Sequence, residues 1–244
     1  MSSAARIFQP DIFSPGSEVT LNSENSHYLI SVLRARLGDA VVLINGMGGE
    51  FSAHIIDLQR RSVTLLLDSY CATERESPLA ITLLQGLSKG EKMDFTIQKS
   101  CELGVQRIIP VITERSVVRL DAKREEKRQQ HWQGVAIAAS LQCGRNRIAA
   151  VDLPISFKEA VANSGDGLKL LLSPHHAGTA LGSVTKPQHL TLLIGPEGGL
   201  TADEISSATA AGYLPLNLGS RILRTETAAL VAMAILQWQW GDLG

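Results

Sequence analysis

The spacing of apolar and polar positions changes character once along this chain, near residue 79. Before that point the apolar residues come in short runs bounded by turn residues. Arg6-Ile7-Phe8 starts this stretch, and Glu18–Leu21, Ala40–Asn45, Gly49–Leu58 and Ser62–Ser69 read as strands. Ser23–Arg36 reads as a short helix, because His27-Tyr28-Leu29 and Val32-Leu33-Arg34 recur at three and four. Strand density and short connections predict a compact β-barrel over residues 1–73. Ala72–Pro78 is polar, charged and ends in proline, which is the composition of a linker.

From Leu79 on, continuous apolar runs alternate with helical periods. That is the pattern of parallel strands covered on both faces. Leu79–Leu84, Arg107–Thr113, Arg147–Val151, Leu168–Leu172, Leu190–Ile194 and Leu214–Leu218 read as strands. Helices are predicted over Lys89–Leu103, Ala122–Gln142, Phe157–Ala162, Thr201–Gly212 and Thr227–Trp238. In the first, Met93, Ile97 and Cys101 repeat at four and should face the core, and Gly104 should end the helix. In the second, Trp132, Val135, Ala136 and Ala139 mark the buried face, and Gly144 is its C-cap. Thr201 and Glu204 form a capping-box pair. The last helix is apolar on almost every side, so it should pack under the sheet, at a subunit interface, or both. Residues 79–244 are therefore expected to form a second, α/β domain.

Composition narrows the classes. A chain of 244 residues with 44% hydrophobic content can build one large core or two small ones. No apolar run approaches the roughly 20 residues of a membrane helix, and Met1–Arg6 carries no apolar signal core. Cys71, Cys101 and Cys143 are odd in number and widely spaced, which argues against a disulfide framework and against zinc and fits a cytoplasmic location. His175-His176 is the only histidine pair and has no further ligand nearby, so no metal is expected. Net charge is −1, which leaves no overall basic footprint for a nucleic acid. The distribution is uneven, however: between Lys89 and Arg147 lie twelve lysines and arginines against seven acids. A local basic face suits a partner gripped at a few points.

Two glycine loops carry the candidate chemistry. Ile194-Gly195-Pro196-Glu197-Gly198-Gly199-Leu200 joins a strand end to a capped helix start. Leu218-Gly219-Ser220-Arg221-Ile222-Leu223-Arg224-Thr225-Glu226 repeats that plan. Loops at strand ends are where open α/β sheets hold ligands, and glycine lets backbone approach a ligand closely. No Gly-Lys-Ser/Thr follows, so this is not a P-loop, and Gly-x-Gly-x-x-Gly is absent. Taken alone, the loops indicate a small-molecule site.

At these residues the chain resembles the cofactor loops of SPOUT-class methyltransferases. It is most similar to the RsmE family, which methylates ring nitrogen 3 of a uridine in small-subunit ribosomal RNA. Lys89, Gly90, Lys92, Met93, Asp94, Lys99, Glu102, Leu103 and Gly104 fit the same family's pattern, as do His27-Tyr28-Leu29 through Gly38-Asp39. The resemblance implies a trefoil-knotted parallel-sheet α/β domain preceded by a PUA-like β-barrel. It also implies S-adenosyl-L-methionine as cofactor, and a homodimer acting on 16S ribosomal RNA within an assembled or assembling 30S subunit. Carried onto this chain, it assigns the cofactor to Leu172, Ser173, Ile194, Gly195, Pro196, Glu197, Gly198, Gly199, Leu218, Gly219, Ile222, Leu223 and Arg224. Pro174 and His175 are expected to extend that wall by position.

RNA contacts are expected from Arg6, His27, Arg34, Lys89, Lys92, Gln142 and Arg145, with Arg36 a further candidate and Thr113–Ser116 near the RNA cleft. Gln142 offers an amide suited to a pyrimidine edge, and Arg145 a phosphate contact. Cys143 is expected to be a packed thiol. Methylation at uracil N3 requires loss of a proton, hence a base or a cation that stabilises the imide anion. Arg224 is the expected cation, with Glu226 or Glu197 orienting groups or accepting the proton. Helix capping, with Thr225 as N-cap, is the other reading of Glu226. Two alternatives remain open: a SPOUT-class enzyme acting on another base or a ribose 2′-hydroxyl, and a non-catalytic RNA-binding module.

Overall fold

The computed structural model describes residues 4–116, 122–173 and 178–244. The chain divides into two compact units: residues 1–76 with 140–148, and residues 77–139 with 149–244.

The first unit is a five-stranded sheet in the order β1-β3-β4-β5-β2. Its strands are β1 (Ala5–Phe8), β2 (Glu18–Thr20), β3 (Ala40–Ile44), β4 (Glu50–Leu58) and β5 (Val63–Cys71). β1 pairs with β3 in parallel and the other neighbours are antiparallel. Alternate residues Phe51, Ala53 and Ile55 of β4, and Val63, Leu65 and Leu67 of β5, point into one core with Ile7, Leu29 and Leu43. The ladder leaves β1 and β2 at its two ends. The Gln9 side chain links those ends instead, accepting from Asn22 N and donating to Thr20 O.

The helix expected over Ser23–Arg36 is shorter than its spacing suggests. α1 covers Ser23–His27, and Tyr28–Val32 continues as a π-helical turn in which Leu33 N reaches back to Tyr28 O. The wider turn shifts the register by one residue. Tyr28, Val32, Leu33 and Leu37 are left exposed, and Arg34 sits in the left-handed region at φ 53°. The 72–78 stretch, expected as a linker, is tied down through its middle. Glu74 accepts from Gly49 N, Arg75 donates to Gly144 O, and Glu76 pairs with Arg145. Residues 140–148 thus pack with the first unit, although they were expected to belong to the second domain.

In the second unit a parallel sheet runs β12-β10-β11-β6-β7-β8, with β9 also against β7. The strands are β6 (Ala80–Gly86), β7 (Val105–Ile112), β8 (Ala150–Val151), β9 (Ile155–Ser156), β10 (Leu168–Leu172), β11 (His189–Ile194) and β12 (Leu214–Leu216). Neighbouring residues along a strand enter opposite cores. Leu83, Ile108, Leu170 and Leu192 pack with α2 (Glu91–Glu102), α3 (Ala122–Cys143) and α6 (Thr225–Trp240). Leu84, Ile109, Leu171 and Leu193 pack with α4 (Phe157–Ala162) and α5 (Ala202–Ala210). Helices on both faces explain why these strands are apolar without alternation. Of the predicted core residues, Met93, Ile97, Cys101, Trp132, Ala136 and Ala139 are buried, while Val135 is only partly buried. The strand expected over Arg147–Val151 is reduced to β8, because Arg147 bridges to Gly46 and Met47 in the first unit.

One buried amide fastens the start of this unit to its last helix. Gln237 is fully buried; it accepts from Ser77 Oγ at 2.6 Å and donates to Leu103 O at 2.9 Å. Gln237→Leu strips the Leu103 carbonyl and the Ser77 hydroxyl proton of this partner in the interior, leaving Ser77 Oγ only the bond it accepts from Leu79 N. It should cost about 2 kcal/mol, read as a lower urea midpoint with unchanged slope.

Candidate cofactor site

The parallel sheet brings its ligand-bearing loops to one end. β10 delivers Leu172 and Ser173, β11 the Gly195–Leu200 loop, and β12 the Leu218–Arg224 segment, all at their carboxyl ends. Strand order reverses direction between β6 and β11, which is where open sheets form ligand crevices. These segments enclose a cavity of about 540 Å³ in the second unit. That size falls within the roughly 300–1,000 Å³ of small-molecule sites.

The first loop is shaped by its neighbours. Gly199 N donates to Pro196 O at 2.8 Å, closing a turn that needs Gly199 at φ 68°. Gly86, at the end of β6, lies directly under it. A side chain there would begin 2.4 Å from Pro196 N and 2.6 Å from Pro196 Cδ. Arg115 clasps the far side by donating to Gly198 O at 2.9 Å. Thr113–Ser116 was expected near the RNA cleft, but Arg115 lines this cavity.

All thirteen positions expected to hold the cofactor line the cavity, and so does Lys92, which was expected at the RNA. Lys92 Nζ lies 3.1 Å from Glu197 Oε1, and the Lys89 amide donates to the same oxygen at 3.4 Å. Partial burial works to raise the Glu197 carboxyl. Its own backbone amide, Lys92 and the Lys89 amide outweigh that, and hold it below the ordinary carboxylate value. Glu197 is therefore a braced anion and a weak base.

Arg224 is the N-cap of α6, a place the sequence reading gave to Thr225. Its carbonyl accepts from Ala228 N at 2.8 Å, while its exposed side chain borders the cavity. Thr225 is buried and spends its hydroxyl on Gly195 O at 2.6 Å. Glu226 is not among the cavity-lining residues, and its Oε2 is buried with no hydrogen-bond partner among the described residues. Leu200, Ile205, Arg221, Thr225 and Ala228 complete the lining and were not assigned to the cofactor from sequence. Pro174, His175 and His176 lie outside the described residues.

The residues expected at RNA in the first unit divide into two groups. His27, Arg34, Arg36 and Gln142 are exposed. Arg6 and Arg145 are not free to grip a phosphate. Arg6 Nη1 pairs with Glu50 at 2.8 Å and Nη2 donates to Asn146 Oδ1. Arg145 is buried and forks onto both oxygens of Glu76, with Nε at 2.9 Å from Oε1. Both arginines are structural ties within the unit, which corrects the sequence expectation. Among the described residues, no group of three or more His, Cys, Asp or Glu is placed to hold a metal ion. Among the same residues, no helix is long and apolar enough to cross a membrane.

Residues 75–237 match the model of the RNA methyltransferase domain, and residues 21–68 that of the RNA methyltransferase PUA domain. A ribosomal RNA small subunit methyltransferase E from Buchnera aphidicola subsp. Acyrthosiphon pisum (strain APS) is 35% identical, over 97% of this chain and 94% of its own length. The chain belongs to the ribosomal RNA small subunit methyltransferase E family. The solved family member from Neisseria gonorrhoeae, bound to S-adenosyl methionine, superposes with a TM-score of 0.93 at 39% identity, covering 99% of this chain and 100% of that one. A Legionella pneumophila methyltransferase solved with bound SAM gives 0.95 at 40% identity, covering 98% and 99%. Family membership covers both units. A parallel-sheet α/β domain and a PUA-like domain are what it entails.

Proposed function

We propose that this chain transfers the methyl group of S-adenosyl-L-methionine to ring nitrogen 3 of a uridine in 16S ribosomal RNA. The observation that carries the reading is the convergence of Ser173, the Gly195–Leu200 loop and the Leu218–Arg224 segment on one cavity bordered by the Arg224 guanidinium. Solved family relatives with S-adenosyl methionine support the choice of cofactor. The trefoil knot implied by the sequence resemblance belongs to the same proposal.

When bound, the cofactor supplies an electrophilic methyl on a sulfonium, so transfer needs in-line approach and no covalent protein intermediate. Glycine backbone groups of the two loops hold it. Arg224 stabilises the uracil imide anion as the N3 proton leaves. Glu197, braced by Lys92 and two amides, orients the loop. Glu226 lies off the cavity lining with a buried carboxylate oxygen, so it orients groups behind Arg224, and the N3 proton leaves to water.

The substrate in this proposal is RNA within an assembled or assembling 30S subunit, in the cytoplasm. His27, Arg34 and Gln142 offer exposed contacts in one unit, and Lys89 in the other. A homodimer is proposed through α6. Its outward stripe of Leu230, Val231, Ala234, Ile235 and Trp238 is only partly buried or exposed, with Trp238 68% accessible. An apolar stripe of this kind marks an interaction face.

Radiolabelled S-adenosylmethionine and small subunits from a strain lacking the enzyme provide the test. Label recovered in 3-methyluridine after nucleoside digestion is the expected result. Label in a ribose-methylated nucleoside or another base moves the acceptor and sinks the N3 assignment. No label, together with no cofactor binding by calorimetry, leaves an RNA-binding module.

Two expectations follow at the cofactor loops. Gly86→Ala forces its Cβ against the Pro196 backbone and ring, which no rotamer relieves. Cofactor affinity should fall about tenfold in a titration, roughly one hydrogen bond's worth of displaced loop. The Glu197 carboxyl is lowered in the fold, so its contribution is complete above the unfolded value and is lost only as pH falls through the lower folded one. Cofactor affinity measured from pH 8 down to pH 5 should therefore show no break that Glu197→Gln abolishes.

A further inference from the structure

We propose that Gln85 and Thr225 form a one-way hydrogen-bond relay that positions the Gly195 carbonyl, making both of them positioning residues for the cofactor loop. The proposal rests on the reading of the cavity as the cofactor site.

The direction of the relay follows from donor count. Gly195 O can only accept, so the Thr225 hydroxyl proton must point to it, across 2.6 Å. The Thr225 oxygen then accepts from Gln85 Nε2 at 2.9 Å. The second Nε2 proton goes to Gly86 O at 3.2 Å. Turning the amide over would set its oxygen against two acceptors. The orientation is therefore settled, and it leaves Gln85 Oε1 buried without a donor among the described residues.

That orphan oxygen is the informative observation. Gln85 is fully buried, and a leucine or methionine would fill the same space with no polar group to satisfy. An amide kept there at a cost to stability is kept for where its protons point. The relay joins the end of β6, the start of α6 and the loop after β11, which are 140 and 30 residues apart in the chain. Gly86 presses the same loop from below, against Pro196. Gly195 and Thr225 line the cavity, while Gln85 acts only through them.

The test compares Thr225→Val, Thr225→Ser and Gln85→Leu in the full chain. Cofactor affinity is read by calorimetry, KM for cofactor and for RNA by methyl transfer, and folding by thermal unfolding. Thr225→Val and Gln85→Leu should weaken cofactor binding roughly tenfold and raise KM for cofactor alone. Thr225→Ser, which keeps the hydroxyl, should restore affinity to within about twofold. Wild-type cofactor affinity in Thr225→Val or in Gln85→Leu overturns the relay. So does a loss in Thr225→Ser equal to that in Thr225→Val. If Thr225→Val does not fold, Gln85→Leu with Thr225→Ser decides by the same criteria. Failure of the wild-type chain to bind S-adenosylmethionine would instead overturn the reading of the cavity.

Discussion

Arg224→Ala is expected to lower kcat for methyl transfer about a hundredfold while cofactor affinity stays within about threefold. The separation follows from the two uses of this residue. Its backbone caps α6, and alanine preserves that because the Ala228 N bond goes to the Arg224 carbonyl. Its side chain makes no cap hydrogen bond, so truncation removes the guanidinium from the cavity edge and little else. A charge needed only when the uracil imide loses its proton affects the transition state and leaves the ground state alone. Removing one such stabilising donor in an enzyme site typically costs 10²–10³ in rate. Arg224→Lys should recover part of the rate, because a point charge can still reach the anion, without the planar fork. Single-turnover transfer at saturating cofactor measures the effect. Wild-type rate would remove Arg224 from the chemistry. An equal loss in cofactor affinity would make it a ligand of the cofactor instead.

The parallel sheet was legible because its strands are covered on both faces. Leu79–Leu84 and Leu190–Ile194 read as unbroken apolar runs, and each feeds two cores through alternate residues. The Thr201–Glu204 capping box was legible because its two partners are three residues apart. Local rules failed where a turn departed from the helical period. Ser23–Arg36 has helical spacing, but the π-helical turn at Tyr28–Val32 adds a residue and turns apolar side chains outward.

The candidate site divides along the same line. Glycine loops at strand ends are local signals, and they marked the cavity lining from Ile194 to Gly199 and from Leu218 to Arg224. Partners distant in the chain are not local signals. The Lys92–Glu197 pair spans 105 residues and the Gln85–Thr225 bond 140. Lys92 therefore read as a solvated or RNA-facing lysine, and Gln85 as part of the turn between the Leu79–Leu84 strand and the next helix. Arg6 and Arg145 failed for the same reason. Each looks like a free cation until its acid, 44 or 69 residues away, is placed beside it.

Arg145→Ala is the sharpest test of that last distinction, with an expected stability loss of about 3–5 kcal/mol. The Arg145 and Glu76 side chains are only 4% and 11% exposed. Truncating the arginine leaves the Glu76 carboxylate buried without its forked partner, and an uncompensated interior charge is costly. Glu76→Ala should be damaging for the converse reason. The Arg145→Ala/Glu76→Ala double variant should be less destabilised than the two single losses added, because no charge is stranded. Urea unfolding of the four proteins measures the coupling. RNA binding supplies the opposing arm. An arginine on a phosphate contributes about one to the slope of log affinity against log salt, whereas a buried tie contributes nothing. The slope for Arg145→Ala, measured where the protein is folded, should equal the wild-type slope. A slope lower by one, with unchanged unfolding, would return Arg145 to the RNA and make Glu76 its resting partner rather than its structural one.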